Sequence, residues 1–103
     1  MRLLLIIALI CFPCSLLADM ETAKKSKCLR CHHQTRQMAG PPIDQIAARY
    51  STSDIDFLVA EVIKGRSGED LTWGRIKMPP SKAPEADVRK AVEWMLSPQV
   101  HSG

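Results

Sequence analysis

Five adjacent residues carry chemistry that their types and spacing define: Cys28, Leu29, Arg30, Cys31 and His32. Cys-x-x-Cys-His is the attachment signature of a covalently bound c-type haem. Two cysteines three apart stand on neighbouring positions of one helical turn. From there both sulfurs can reach the vinyl groups along one porphyrin edge. The next side chain, His32, then offers an imidazole nitrogen to the iron. Two other uses of Cys-x-x-Cys compete. A zinc site needs a second ligand pair, and the chain after residue 19 has no further cysteine. A redox dithiol of the thioredoxin kind expects a strand before it and a βαβ pattern around it, and neither is visible.

A low-spin haem calls for a second axial ligand. The candidates are Met20, Met38, Met78, Met95, His33 and His101. Met95 falls on an apolar helical stripe and reads as packing. Met20 and Met38 lie too near the haem motif in sequence to cross to the far face. His33 adjoins His32, and neighbouring side chains cannot flank a flat macrocycle; it reads as a solvated loop histidine. His101 belongs to the tail. Met78 remains, far along the chain in a segment stiffened by Pro79 and Pro80. A thioether is a soft, weakly donating ligand that favours reduced iron. The competing reading of Met78 is a core filler.

The elements that must position these groups follow from periodicity. Residues 20–29 read as a first helix running into the motif, with a thin apolar stripe of Met20, Ala23 and Leu29. Residues 33–42 read as a polar loop ending in Gly40-Pro41-Pro42. Ile43, Ile46, Ala47 and Tyr50 mark a short helix. Ser51-Thr52-Ser53 caps a third, striped by Ile55, Leu58, Val59, Val62 and Ile63 and ended by a left-handed cap at Gly65. A loop then carries Trp73, Gly74 and Met78. Pro84 opens a last helix with Val88, Ala91, Val92 and Met95 inside and Trp94 and Leu96 flanking that stripe. The expectation is an all-α fold of about four short helices around one haem. No strand pattern or repeat is present.

Before residue 19 the chain reads differently. Arg2 precedes about fifteen nearly unbroken apolar residues ending at Leu17, suited to a signal-peptide core and short for a membrane span. Ala18 is small enough to precede a cut, while Leu16 departs from the small-residue rule. The expectation is a signal peptide over 1–18 and one domain over 19–103, exported to the periplasm, or anchored to the membrane where the signal persists. Cys11 and Cys14 are assigned no role after cleavage. Export agrees with the motif, because c-type haem is attached on the outer side of the energy-conserving membrane. Removing residues 1–18 from the 103 leaves 85, a chain so short that the haem becomes part of its core. Lys and Arg number 14 against 11 Asp and Glu, a net charge of +3, too weak a balance to argue for nucleic acid.

The sequence resembles the short soluble class I cytochromes c of bacteria. The matching pieces are the haem pentapeptide, Met38-Ala39-Gly40-Pro41, Trp73-Gly74, Met78-Pro79-Pro80 and the helix end Ala91-Val92-Glu93-Trp94-Met95-Leu96. The resemblance implies thioethers at Cys28 and Cys31 and axial ligation by His32 and Met78. It implies a hydrogen bond from the other His32 nitrogen to the Pro41 carbonyl, and one from the Trp73 indole to a haem propionate. Three positions depart from the family pattern. Lys27 replaces a glycine before the first cysteine, Ala23 stands near the place of an aromatic, and Glu69-Asp70-Leu71-Thr72 lengthens the loop before Trp73.

The implied function is single-electron transport with no catalytic residue, so the protein is not an enzyme. Its partners would be membrane or periplasmic redox proteins. Lys24, Lys25, Lys27, Arg30, Lys77 and Lys82 would steer acidic docking patches toward the haem edge; solvated surface lysines are the plain alternative. A monomer is expected. Two other functions stay open: a haem c electron-transfer subunit of a larger periplasmic oxidoreductase, and a gas-binding haem with Met78 displaceable.

Overall fold

The computed structural model describes residues 14–74 and 76–97. Most of the expected signal segment, and His101 in the tail, lie outside the described residues. Four α-helices follow one another: α1 (Cys14–Lys25), α2 (Ile43–Arg49), α3 (Ile55–Lys64) and α4 (Glu85–Met95). Short 3₁₀ turns at Cys28–Arg30, Thr52–Asp54 and Gly68–Asp70 punctuate them. The four-helix, all-α expectation holds. α1 passes through the expected cleavage point between Ala18 and Asp19 without a break.

The first helix differs from the sequence reading. It does not run on to residue 29 but stops at Lys25. Lys27 adopts φ 68 and ψ 15, a left-handed conformation that an α-helix cannot contain. It is the one non-glycine residue with positive φ among those described. The chain therefore turns sharply before Cys28 and restarts as the 3₁₀ turn Cys28–Arg30. The family glycine at this position has a physical reason, since only glycine takes that φ without steric cost.

The core has two parts, and α4 belongs to both. On one side Ala23 of α1, Ile43 of α2 and Ala91, Trp94 and Met95 of α4 form a buried cluster, with Cys28 and Leu29 packed against it. Ala23 is wholly inaccessible, so the small residue leaves room for the Trp94 indole where the terminal helices cross. On the other side Leu58 and Val59 of α3 meet Val88 and Val92 of α4. Burying one such aliphatic side chain stabilises by about 1.5–3 kcal/mol. The stripes expected of α3 and α4 supply these buried faces, whereas of the thin stripe expected of the first helix Ala23 is buried, Met20 is exposed and Leu29 lies beyond the helix end.

The connections are tied by backbone hydrogen bonds. The loop over 33–42 folds back so that His33 O accepts from Ile43 N (2.8 Å) and Gln34 O from Asp44 N (3.1 Å). Two N–H groups that a helix start leaves without intrahelical partners are thereby satisfied. Asp54 Oδ2 accepts from Ser51 N (2.9 Å) and fixes the entry to α3. Gly65 ends α3 with positive φ (84), but its ψ of 167 is extended rather than the left-handed helical value expected of a cap. The chain leaves α3 straight, and Arg66 pairs with Met78 in an isolated antiparallel bridge.

Candidate functional site

His32 is held on three sides. The 3₁₀ turn delivers its backbone, with His32 N donating to Cys28 O (3.1 Å). Its Nδ1 lies 2.8 Å from Pro41 O. A carbonyl can only accept, so Nδ1 carries the proton and the free lone pair is on Nε2. Gly40 lies against the ring face, where a Cβ would stand 2.8 Å from Nδ1 and 3.0 Å from Nε2. Gly40 N donates to Cys31 O (2.8 Å), which holds that close approach in place. The imidazole is 8% exposed. Burial lowers its pKa, and the Pro41 hydrogen bond pulls only partly back. The ring is therefore held neutral, the form that binds a metal.

Cys28 and Cys31 are free thiols at the half-buried wall beside it. Burial pushes the Cys28 thiol up, and the neighbouring Cys31 adds to that. Among the described residues no group of three or more His, Cys, Asp or Glu side chains is arranged to hold a metal ion. The zinc reading thus gains no second ligand pair there.

These groups open onto one cleft whose empty space is about 1100 Å³, its open mouth included. All six residues singled out in the sequence line it: Cys28, Cys31, His32, Pro41, Trp73 and Met78. They come from both ends of the domain, and the remaining wall is mostly aliphatic, from Ile46, Leu58, Val62, Val88, Val92 and Leu96. A flat apolar ring system suits such a wall. The aimed imidazole, the paired thiols and the bare Gly40 suit its iron and its attachment edge. On donor set and shape the residues fit a haem c.

The remaining ligand candidates separate. Met20 and Met38 are exposed and do not line the cleft. His33 is more than a solvated side chain, because its Nδ1 accepts from Thr35 N and Arg36 N, both at 3.1 Å, and closes the turn after the motif. Met95 does line the cleft, but it is also part of the buried cluster with Ala23 and Trp94.

The mouth holds polar residues that the sequence reading did not single out. Tyr50 hydrogen-bonds with Arg49, Thr72 and Arg66. Burial pushes its phenol up, but those bonds and the Arg66 charge outweigh burial and leave it below its ordinary value. The Tyr50 and Trp73 rings meet edge to face at 6.3 Å, and the Arg49 guanidinium lies 5.8 Å from the Trp73 ring centre. Arg66 Nε lies 3.8 Å from Glu61 Oε1. An excess of hydrogen-bond donors at the lip of an apolar cleft suits carboxylates such as propionates. The one signal for them in the sequence was Arg66 directly after a glycine that ends a helix. Of the six basic residues expected to flank the haem edge, all are exposed, and Lys77 lines the cleft itself. Ile76 beside it is 59% exposed.

No protein-family model matches the chain. Among curated proteins it is similar to cytochrome c-552 of Nitrosomonas europaea, 35% identical over 83 residues, 78% of each chain. It is also 39% identical over 85 residues to cytochrome c-551 of Allochromatium vinosum, covering 80% of this chain and 87% of that one. The crystal structure of wild-type Nitrosomonas europaea cytochrome c552 matches with a TM-score of 0.67 at 33% identity, over 77% of this chain and 98% of that one. The class 1 cytochrome MtoD from Sideroxydans lithotrophicus ES-1 shares the fold, with a TM-score of 0.59 at 21% identity.

Proposed function

The chain belongs to the small class I monohaem c-type cytochromes, and from that premise we propose that it shuttles single electrons in the periplasm with His32 and Met78 as axial ligands. Members of this family carry one covalent haem c and are electron carriers rather than enzymes. The haem supplies a one-electron couple at its iron. Everything else falls to the chain.

Cys28 and Cys31 fix the group's edge through thioethers. His32 presents Nε2, and the Pro41 carbonyl holds the tautomer and the ring plane. Met78 would supply the second ligand through its thioether sulfur. Met95 is the rival methionine, but its side chain is engaged with Ala23, Ile43 and Trp94 on the same side as Cys28. The aliphatic wall keeps water out, which favours the less charged, reduced state. Trp73, beside Tyr50 and Arg66 on the cleft lining, would donate its indole N–H to a propionate. No acid, base or nucleophile has to act, and little has to move.

The single observation that carries this reading is that Cys28, Cys31, His32 and Met78, fifty residues apart at the extremes, line one apolar cleft. The partner is a redox protein of the membrane or periplasm with an acidic docking patch. Exposed Ile76 beside Lys77 offers it a small apolar contact next to a positive charge. Rising ionic strength should slow electron transfer to such a partner; indifference to salt would remove the steering. Residues 1–18 act as the export signal, so the secreted protein should begin at Asp19 on N-terminal sequencing.

The deciding experiment is the spectrum of the haem-loaded protein. It should show a reduced c-type spectrum and the weak near-infrared band of methionine-ligated ferric haem. Met78→Ala should lose that band. A colourless product from a strain with working haem attachment, or a band that survives Met78→Ala, defeats the proposal.

A further inference from the structure

We infer that Gly65 and the backbone of Arg66 form a positioning clamp that presents Met78 to the haem, independently of the loop between them. The inference rests on Met78 being the ligand, as proposed above.

Three observations converge on this short stretch. First, Arg66 and Met78 exchange two backbone hydrogen bonds, Arg66 N to Met78 O and Met78 N to Arg66 O, both 2.8 Å. Those are strong ladder distances. They form the one isolated bridge among the described residues. Second, Gly65 has φ +84, and a Cβ there would stand 2.8 Å from both Met78 O and Pro80 N, with Pro80 Cδ at 3.0 Å. The atoms in the way are backbone and a proline ring, which cannot swing aside. The 78–80 segment can lie where it does only because residue 65 has no side chain. Third, Ser81 N donates to Val62 O (3.0 Å), so the segment is tied back to the last turn of α3 at its other end.

α3 is in turn fixed by Leu58 and Val59 against Val88 and Val92 of α4. Met78 is therefore carried by a helix end with a buried face, although sequence places it in a loop. The residues between Arg66 and Met78 are joined to the scaffold through two tied ends. Their length and composition can vary without moving the methionine. A ligand held by backbone bonds from a rigid element keeps its place when iron changes oxidation state, and a thioether is weak enough to need such help.

The test uses the full haem-loaded protein and reads the near-infrared ferric band and carbon monoxide binding by the reduced form. Gly65→Ala should lose most of the band and should bind carbon monoxide readily, because Met78 O and Pro80 must retreat from the new Cβ. Gly68→Ala, inside the tied span and with no atom within 4 Å of the new Cβ, should keep the band. Met78→Ala separates the two ideas. Loss of the band in Met78→Ala together with its full retention in Gly65→Ala overturns the clamp and leaves the ligand standing. Retention in Met78→Ala overturns the ligand assignment itself. Should Gly65→Ala not fold, amide hydrogen exchange of the parent protein decides. The clamp requires Arg66 and Met78 N–H to be protected as strongly as the α3 interior, and exchange as fast as at exposed Gly74 overturns it.

Discussion

Substituting Gly40 by alanine tests how tightly the His32 ring is set. Gly40 has no positive φ, so alanine adds no backbone strain. The whole effect is steric. The new Cβ would overlap Cε1 and stand 2.8 Å from Nδ1 and 3.0 Å from Nε2, where ordinary contact begins at 3.4 Å. The ring must recede by about 1 Å to reach ordinary contact, and His32 is buried. Overpacking of this kind costs about 1–3 kcal/mol. Stretching the 2.8 Å bond to Pro41 O adds about 1 kcal/mol, so the total is about 2–4 kcal/mol. In a domain of this size each kcal/mol moves Tm by roughly 4–8 °C, which places the fall at roughly 8–32 °C. The assay is thermal unfolding of the haem-loaded ferric protein followed by helical circular dichroism. Gly68→Ala is the matched control. That residue has φ +56 with no atom within 4 Å of its would-be Cβ. It isolates the backbone term, about 1 kcal/mol. If Gly40→Ala melts within about 4 °C of the parent, or no lower than Gly68→Ala, then the ring is not gripped and the reasoning is wrong.

Other substitutions probe the scaffold. Lys27→Gly should raise stability by about 1 kcal/mol, since it relieves a left-handed φ of 68; a lower Tm would show that the lysine side chain contributes something that its conformation conceals. Trp94→Ala should lose about 3–5 kcal/mol by opening a cavity against Ala23 and Ile43, and a chemical denaturation midpoint near the parent's would contradict that packing. Arg89→Ala breaks a 2.8 Å bond to Asp56, whose side chain is 90% exposed, and should change stability by less than about 0.5 kcal/mol. A large loss there would mean that solvent screens this pair less than its exposure implies.

Much of the site was legible in the sequence because it depends on local spacing. The Cys28–His32 turn, the proline-stiffened Met78 segment and the apolar stripes of α3 and α4 are patterns a few residues long. Side-chain period alone names the buried Leu58, Val59, Val88 and Val92. What was not legible depends on single conformations or on single long-range pairs. Lys27 carries no sign that it takes the backbone of a glycine, so the first helix was read straight through it. One residue pair, Arg66 with Met78, makes no alternating pattern, and the bridge has no periodicity to detect. Tyr50 and Arg66 meet only because α2 and the end of α3 converge at the same lip. Adjacency to His32 leaves His33 as a solvated loop histidine, whereas its ring nitrogen closes a turn that the sequence does not spell out.

The division of the core into two clusters sharing α4 has a consequence for the order of events when the protein is made. Val88 and Val92 face one half while Ala91, Trp94 and Met95 face the other, so the two halves meet through the helix that emerges last. Neither can close around the cleft while that stretch is still missing. The Cys28–His32 turn, near the start, therefore stays uncovered until α4 has been made, and closure of the fold waits for that helix.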